Sequence, residues 1–220
     1  MSRDFWAEAI GSFFLFCTVI GSGIMAEQLA GGNIAVALLG NTIATGAMLY
    51  VLIGMLGPLS GAHFNPAVTL VFRLRGDLAS GTALRLIAGQ FIGGLPGVWA
   101  AHLMFARPIL ELSTKVRTGP GQWAGEFIAT FGLVFVILGT LRHRPQGVPA
   151  AVALYIVAAY WFTSSTSFAN PAITLARALT DTFAGIAPAD VPAFIAAQLL
   201  GAVAALLAGQ AVFADDEGKA

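Results

Sequence analysis

Two copies of one short segment constrain this chain more than anything else in it. Ser60-Gly61-Ala62-His63-Phe64-Asn65-Pro66-Ala67-Val68-Thr69-Leu70 and Ser165-Thr166-Ser167-Phe168-Ala169-Asn170-Pro171-Ala172-Ile173-Thr174-Leu175 share Ser, then Asn-Pro-Ala, a β-branched residue and Thr-Leu at the same spacing. One Asn-Pro is an ordinary turn initiator. Asn is also a good N-cap, and Pro suits the first helical position, where its missing N–H would be unpaired anyway. Each copy therefore predicts a helix start.

Those two helices must start inside a membrane. Hydrophobic residues make up 57% of the chain and charged residues 10%, against about 25% charged in a soluble domain. At ~20 residues per span, 220 residues hold about six spans and short loops. Spans are predicted near 5–25, 34–56, 82–105, 122–141, 148–167 and 190–213. The apolar segments near 65–74 and 170–180 are too short to cross and read as half-helices. The stretches 57–64 and 163–169 read as re-entrant backbone leading into them. Asp4 and Glu8 spoil the positive start of a signal peptide, so residues 5–25 read as a span.

The repeat extends beyond the motif. Glu8, Ile10, Phe13 and Gly21 match Glu126, Ile128, Phe131 and Gly139 at one offset, and Ala88-Gly89-Gln90 echoes Ala197-Gln198. The fold class expected is an all-α membrane protein with six transmembrane helices and two half-helices, a single domain 1–220 built of repeats 1–110 and 118–220. Three spans per repeat invert the second repeat relative to the first. Gly89, Gly93 and Gly97 fall four apart, as do Gly201, Ala205 and Gly209, which predicts close helix approach. With both termini cytoplasmic, Arg3, Arg73, Arg75, Arg85, Arg142, Arg144 and Lys219 lie inside and Arg107, Lys115, Arg117 and Arg177 outside, in line with the positive-inside rule.

Inversion brings the two half-helix N-termini together near the midplane. Each carries the equivalent of roughly +0.5 charge, so the pair repels cations and protons. Asn65 and Asn170 are expected to cap these helices and turn amide N–H groups to a lumen, opposite apolar walls and beside a ladder of backbone carbonyls. A small neutral molecule with lone pairs suits that lumen. An ion finds no adequate replacement for its hydration shell.

With Asn65-Pro66-Ala67 and Asn170-Pro171-Ala172 in a six-span chain, the whole sequence resembles the aquaporin (major intrinsic protein) family. The resemblance implies passive flow of small neutral solutes, a homotetramer with one pore per subunit in the cell membrane, and no cofactor. Carried over by position, the family's selectivity filter falls on Thr45, Ala158, Ser167 and Ile173. Most members have Arg where Ile173 stands, and a strict water filter adds an aromatic and a His. Their absence implies a wider, uncharged constriction. Arg177, one turn beyond Ile173, can hang over the outer vestibule or snorkel to the lipid interface. The missing filter Arg, with Thr174-Leu175-Ala176-Arg177 and the residues after it, resembles a bacterial subgroup associated with arsenic resistance, which implies neutral metalloid acids as cargo beside glycerol-like polyols. By the same resemblance Glu8, Glu126 and His63 brace the re-entrant loops.

Other classes find less in the sequence. Zero net charge gives no nucleic-acid footprint. Cys17 is single, and the scattered His63, His102 and His143 have no metal-site spacing, so no metal is expected. No nucleophile–base pairing suggests an enzyme. An ion-coupled secondary transporter shares the broken-helix architecture, and a water-selective pore shares the motifs; both stand beside the leading reading of a neutral-solute channel.

Overall fold

The computed structural model describes residues 2–213; Lys219, placed above on the inner side, lies outside them. Eight helices follow in order: α1 (Arg3–Leu29), α2 (Ile34–Ser60), α3 (Pro66–Leu74), α4 (Ser80–Met104), α5 (Pro120–His143), α6 (Val148–Phe162), α7 (Pro171–Arg177) and α8 (Val191–Val212). Single 3₁₀ turns, Pro145–Gly147 and Pro188–Asp190, lead into α6 and α8. Among the described residues there is no strand.

Six of these helices, taking α6 and α8 with their lead-in turns, are long and apolar enough to cross a bilayer. At 1.5 Å per residue, nine-residue α3 reaches only about 14 Å of a ~30 Å hydrocarbon core. Seven-residue α7 is shorter still. Each therefore goes back out on the side from which its lead-in segment came. Two sets of four helices repeat the same contacts: α1 packs on α2 and α4, α5 packs on α6 and α8, and α2 meets α6 between the sets. Pairing of α3 with α7 closes the centre.

α1 runs on to Leu29, past the expected 25, and three boundaries nearer the centre also differ, two of them for a clear local reason. α2 runs past 56 to Ser60 despite Pro58, and ends where Gly61 takes the left-handed conformation (φ +85°) that glycine adopts without cost. The first lead-in is therefore only 61–64. α6 stops at Phe162 and not near 167, because Thr163 turns extended while its hydroxyl bonds the carbonyl of Ala159. α7 ends at Arg177, three residues before the expected 180.

The four-residue glycine period marks the tightest helix pairs. A Cβ on Gly93 would run into the backbone of Ala9, and one on Gly201 into the backbone of Phe127. Backbone cannot retreat as a flexible side chain can. Overfilling a packed site costs about 1–3 kcal/mol, more where only backbone can give. Gly93→Val should therefore lower the thermal unfolding midpoint and the yield of monodisperse protein in detergent. Gly54→Val, where a new Cβ meets nothing within 4 Å, should not.

Candidate functional site

The two motif asparagines are joined across the centre of the molecule. Asn65 Nδ2 donates to the carbonyl of Ala169 at 2.7 Å, and Asn170 Nδ2 donates to the carbonyl of Phe64 at 2.8 Å. Each acceptor is the residue just before the other asparagine. The same side chains cap their helices: Asn65 Oδ1 accepts from Ala67 N (2.9 Å), and Asn170 Oδ1 from Ala172 N (3.0 Å) and Ile173 N (3.3 Å). An amide has two N–H donors. One is spent on the crossed bond, and both asparagines stand in the wall of a central cavity. Pro66, Ala67, Pro171 and Ala172 are buried behind them and are absent from that wall.

The lead-in segments are held in a conformation that side chains normally avoid. Ala62 and Phe64 have φ of 51° and 47°; their counterparts Ser167 and Ala169 have 50° and 48°. Such residues block helix formation, and the strain persists only where surroundings enforce it. Gly61, Ala62 and His63 on one side, and Ser167 and Phe168 on the other, line the cavity. Among the described residues no donor reaches their carbonyl oxygens. Buried carbonyls need partners, so these are acceptors for whatever occupies the cavity.

Two buried carboxylates do the enforcing. Glu8 Oε1 accepts from His63 N (2.9 Å) and Ser60 Oγ (2.7 Å), and its Oε2 from Phe64 N (2.7 Å) and Gln90 Nε2 (2.7 Å). Glu126 accepts from Phe168 N (2.8 Å), Ala169 N (2.9 Å) and Gln198 Nε2 (2.5 Å). Each circuit continues into its half-helix. Gln90 reaches Thr69, whose hydroxyl bonds the Asn65 carbonyl. Gln198 reaches Thr174, whose hydroxyl bonds the Asn170 carbonyl. His63 adds Nδ1 to Thr69 Oγ1 at 3.0 Å and lies against the Phe72 ring at a tilt of 33°.

The cavity measures about 170 Å³. Apolar side chains such as Leu15, Val19, Leu49, Ile137 and Ile156 form much of its wall. Of the expected filter positions, Thr45, Ser167 and Ile173 line it and Ala158 does not. Ala158 is exposed on the far face of α6, because Val152, Ile156 and Tyr160 recur at four-residue spacing toward the cavity and position 158 falls about 200° from Ile156. Tyr160 occupies that wall instead, its hydroxyl 3.4 Å from Thr45 Oγ1. The sequence held a signal for it, the four-residue register of α6, which counting back from Asn170 ignores. Arg177 does not snorkel to lipid: it is 2% exposed, lines the cavity, gives its Nε to the Ala184 carbonyl and lies over the Phe168 ring. Arg117, from the segment joining α4 to α5, approaches the same ring and bonds the carbonyls of Gly185 and Ser165. Nothing in its sequence context announces that position.

The family model described as "Major intrinsic protein" matches residues 1–164. The chain belongs to the major intrinsic protein family. It is a multi-pass membrane protein and a passive channel for water and small neutral solutes. Within the family it is 55% identical to aquaglyceroporin AqpS of Rhizobium meliloti (strain 1021), over 94% of this chain and 88% of the relative. It is 28% identical to aquaporin Z of Bradyrhizobium diazoefficiens, over 90% and 88%. The aquaglyceroporin from Plasmodium falciparum shares the fold, with a TM-score of 0.73 at 18% identity over 96% of both chains.

Among the described residues the N–H groups of Phe168 and Ala169 find no acceptor other than Glu126. Glu126→Leu strands the N–H groups of Phe168 and Ala169, and each buried unpaired donor costs about 1–3 kcal/mol. The unfolding midpoint of the purified protein should fall sharply, with solute flux falling alongside. A midpoint equal to that of the unmodified protein would show that the carboxylate does not hold the segment.

Proposed function

We propose that the protein is a channel for neutral solutes larger than water, with glycerol-like polyols and neutral metalloid acids as its cargo classes, and that it excludes ions and protons. The observation that carries this reading is the crossed asparagine pair with two helix N-termini behind it, set in a largely apolar cavity. A neutral hydroxylated solute can accept from the two amides and donate to the unpaired lead-in carbonyls while its carbon side meets Leu15, Val19 and Ile137. A cation meets positive helix ends and finds no carboxylate in the wall. That also weighs against an ion-coupled transporter, which needs a midplane ion site.

Size selection is proposed for Thr45, Tyr160, Ser167 and Ile173, where Ile173 takes the place of an arginine. A branched aliphatic side chain leaves more width than a guanidinium and offers no donor, which favours polyols over strict water selection. The names of the relatives support the same choice, AqpS and the Plasmodium protein both being called aquaglyceroporins. We further propose inverted repeats 1–110 and 118–220, a homotetramer, and cytoplasmic termini in the cell membrane; Arg3, Arg73, Arg75, Arg85, Arg142 and Arg144 on the terminal side support that orientation.

The test is swelling of reconstituted vesicles with water, glycerol, urea and arsenous acid. The unmodified protein should pass all four. Ile173→Arg should cut glycerol passage by about tenfold or more, the effect of a lost near-fit in a narrow site, while water passage falls far less. Equal loss of both would refute the filter assignment.

A further inference from the structure

At the mouth on the side of the segment joining α4 to α5, three cations gather, and among the described residues none is in salt-bridge contact with a carboxylate. Arg177 and Arg117 have their guanidinium carbons 3.3 Å and 5.0 Å from the Phe168 ring centroid. Lys115 lies over the Phe183 ring and gives Nζ to the Phe183 carbonyl at 2.8 Å. Backbone bonds bring their segments together, from Ser113 N to the Ala178 carbonyl, Ala187 N to the Lys115 carbonyl, and Ile186 N to the Arg177 carbonyl.

All but one of the acids in the neighbourhood are engaged elsewhere; Glu27, exposed near the end of α1, acts on Lys115 only through its field. Asp181 accepts from Thr114 N and its hydroxyl. Asp190 accepts from the backbone N–H of Arg117, Glu111 takes Arg107, and Glu126 holds the lead-in segment. Among the described residues no acid comes within 4 Å of the charged ends of Lys115, Arg117 or Arg177. A guanidinium has five N–H donors. Arg177 directs only Nε to a protein acceptor among the described residues, and it stands in the cavity wall. The Ser167 hydroxyl in the same wall is buried with no hydrogen-bond partner among the described residues. Buried cations are costly unless paired, and π-faces with lone carbonyls compensate only part of that.

We propose that this mouth is a docking site for a small weak-acid anion, a carboxylate or oxyanion, received by the Arg177 guanidinium and the Ser167 hydroxyl with Arg117 and Lys115 supplying the surrounding positive field. The bound anion goes no further. Beyond the mouth only the spare amide N–H groups of Asn65 and Asn170 break a largely apolar wall, too few donors to replace an anion's hydration shell, so it sits at the mouth and obstructs neutral solutes. Two arms of a guanidinium match two oxygens of a carboxylate or oxyanion, the geometry in which such pairs are strongest. Burial, then Arg117 and Arg177, push the Lys115 ammonium down to about 8, against the opposing pull of Glu27 and Asp181. The site therefore carries its full charge below about pH 8 and loses one charge above it.

The experiment uses the whole purified protein in detergent, with ¹³C-formate, ¹³C-acetate and inorganic phosphate as probes followed by NMR line broadening. Saturable broadening by at least one probe is expected at pH 7, weaker at pH 9. Lys115→Gln should weaken it about fivefold, the size of one nearby unit charge in a partly screened site, and Arg177→Gln should abolish it while Arg177→Lys retains part. Should Arg177→Gln not fold, Lys115→Gln and the pH series decide alone. No saturable binding of any probe, or binding unchanged by Lys115→Gln and by pH, overturns the proposal. In vesicles of the unmodified protein, the anion that binds should slow glycerol swelling from outside. Glycerol flux without anion reads the channel separately, so failure of the site and failure of the channel reading remain distinct.

Discussion

Two side-chain amides, each bonded to the backbone that introduces the other, are the constraint on which this molecule depends. The crossed bonds of Asn65 and Asn170 fix where two half-helices end, how far apart their N-termini stand, and which way four N–H groups of two side chains point. The oxygens of the same side chains cap the helices, so one residue type terminates a strained segment, starts a helix and leaves a donor for cargo. No aliphatic residue can do this, and Asp would bring a negative charge between two positive helix ends, where it would attract the cations that the arrangement otherwise repels.

Around that centre the two halves repeat one polar plan with different outer detail. A glutamate, a glutamine and a threonine link each lead-in segment to its half-helix through buried hydrogen bonds. In the first half Ser60 joins the glutamate directly. In the second half the equivalent Ser165 does not, and its carbonyl receives Arg117 instead. The inner plan is symmetric because both halves must hold left-handed backbone in place. The outer plan diverges because only one mouth collects Lys115, Arg117 and Arg177. The wall between them is largely hydrocarbon, so selection rests on a few polar atoms against a background that gives ions nothing.

Much of this was legible in the sequence, for a physical reason. Duplication exposes Asn65 with Asn170 and Glu8 with Glu126, since a costly residue placed twice in matched context has a role in each half. Span count and the half-helices follow from hydropathy and length. The filter was legible only in part. Thr45, Ser167 and Ile173 sit at fixed distances along regular or duplicated elements. Ala158 is separated from Asn170 by 163–169, a stretch of mixed left-handed and extended residues where residue number no longer tracks helix phase. Tyr160 faces the cavity in its place. Arg117 was invisible because its partners are backbone carbonyls 68 and 48 residues away, and any sequence supplies carbonyls.

The crossed amides also bear on how the protein is made. Their partners lie 104 and 106 residues apart, so when the first half leaves the ribosome its re-entrant segment has nothing to close against. That half must wait in the bilayer with part of its polar backbone uncovered until Ala169 and Asn170 have followed. Glu8, Ser60 and Gln90 are all present by then and can satisfy part of that backbone within the first half alone. Local bracing thus serves as a holding state during biosynthesis, and the lumen is completed only when the second half docks.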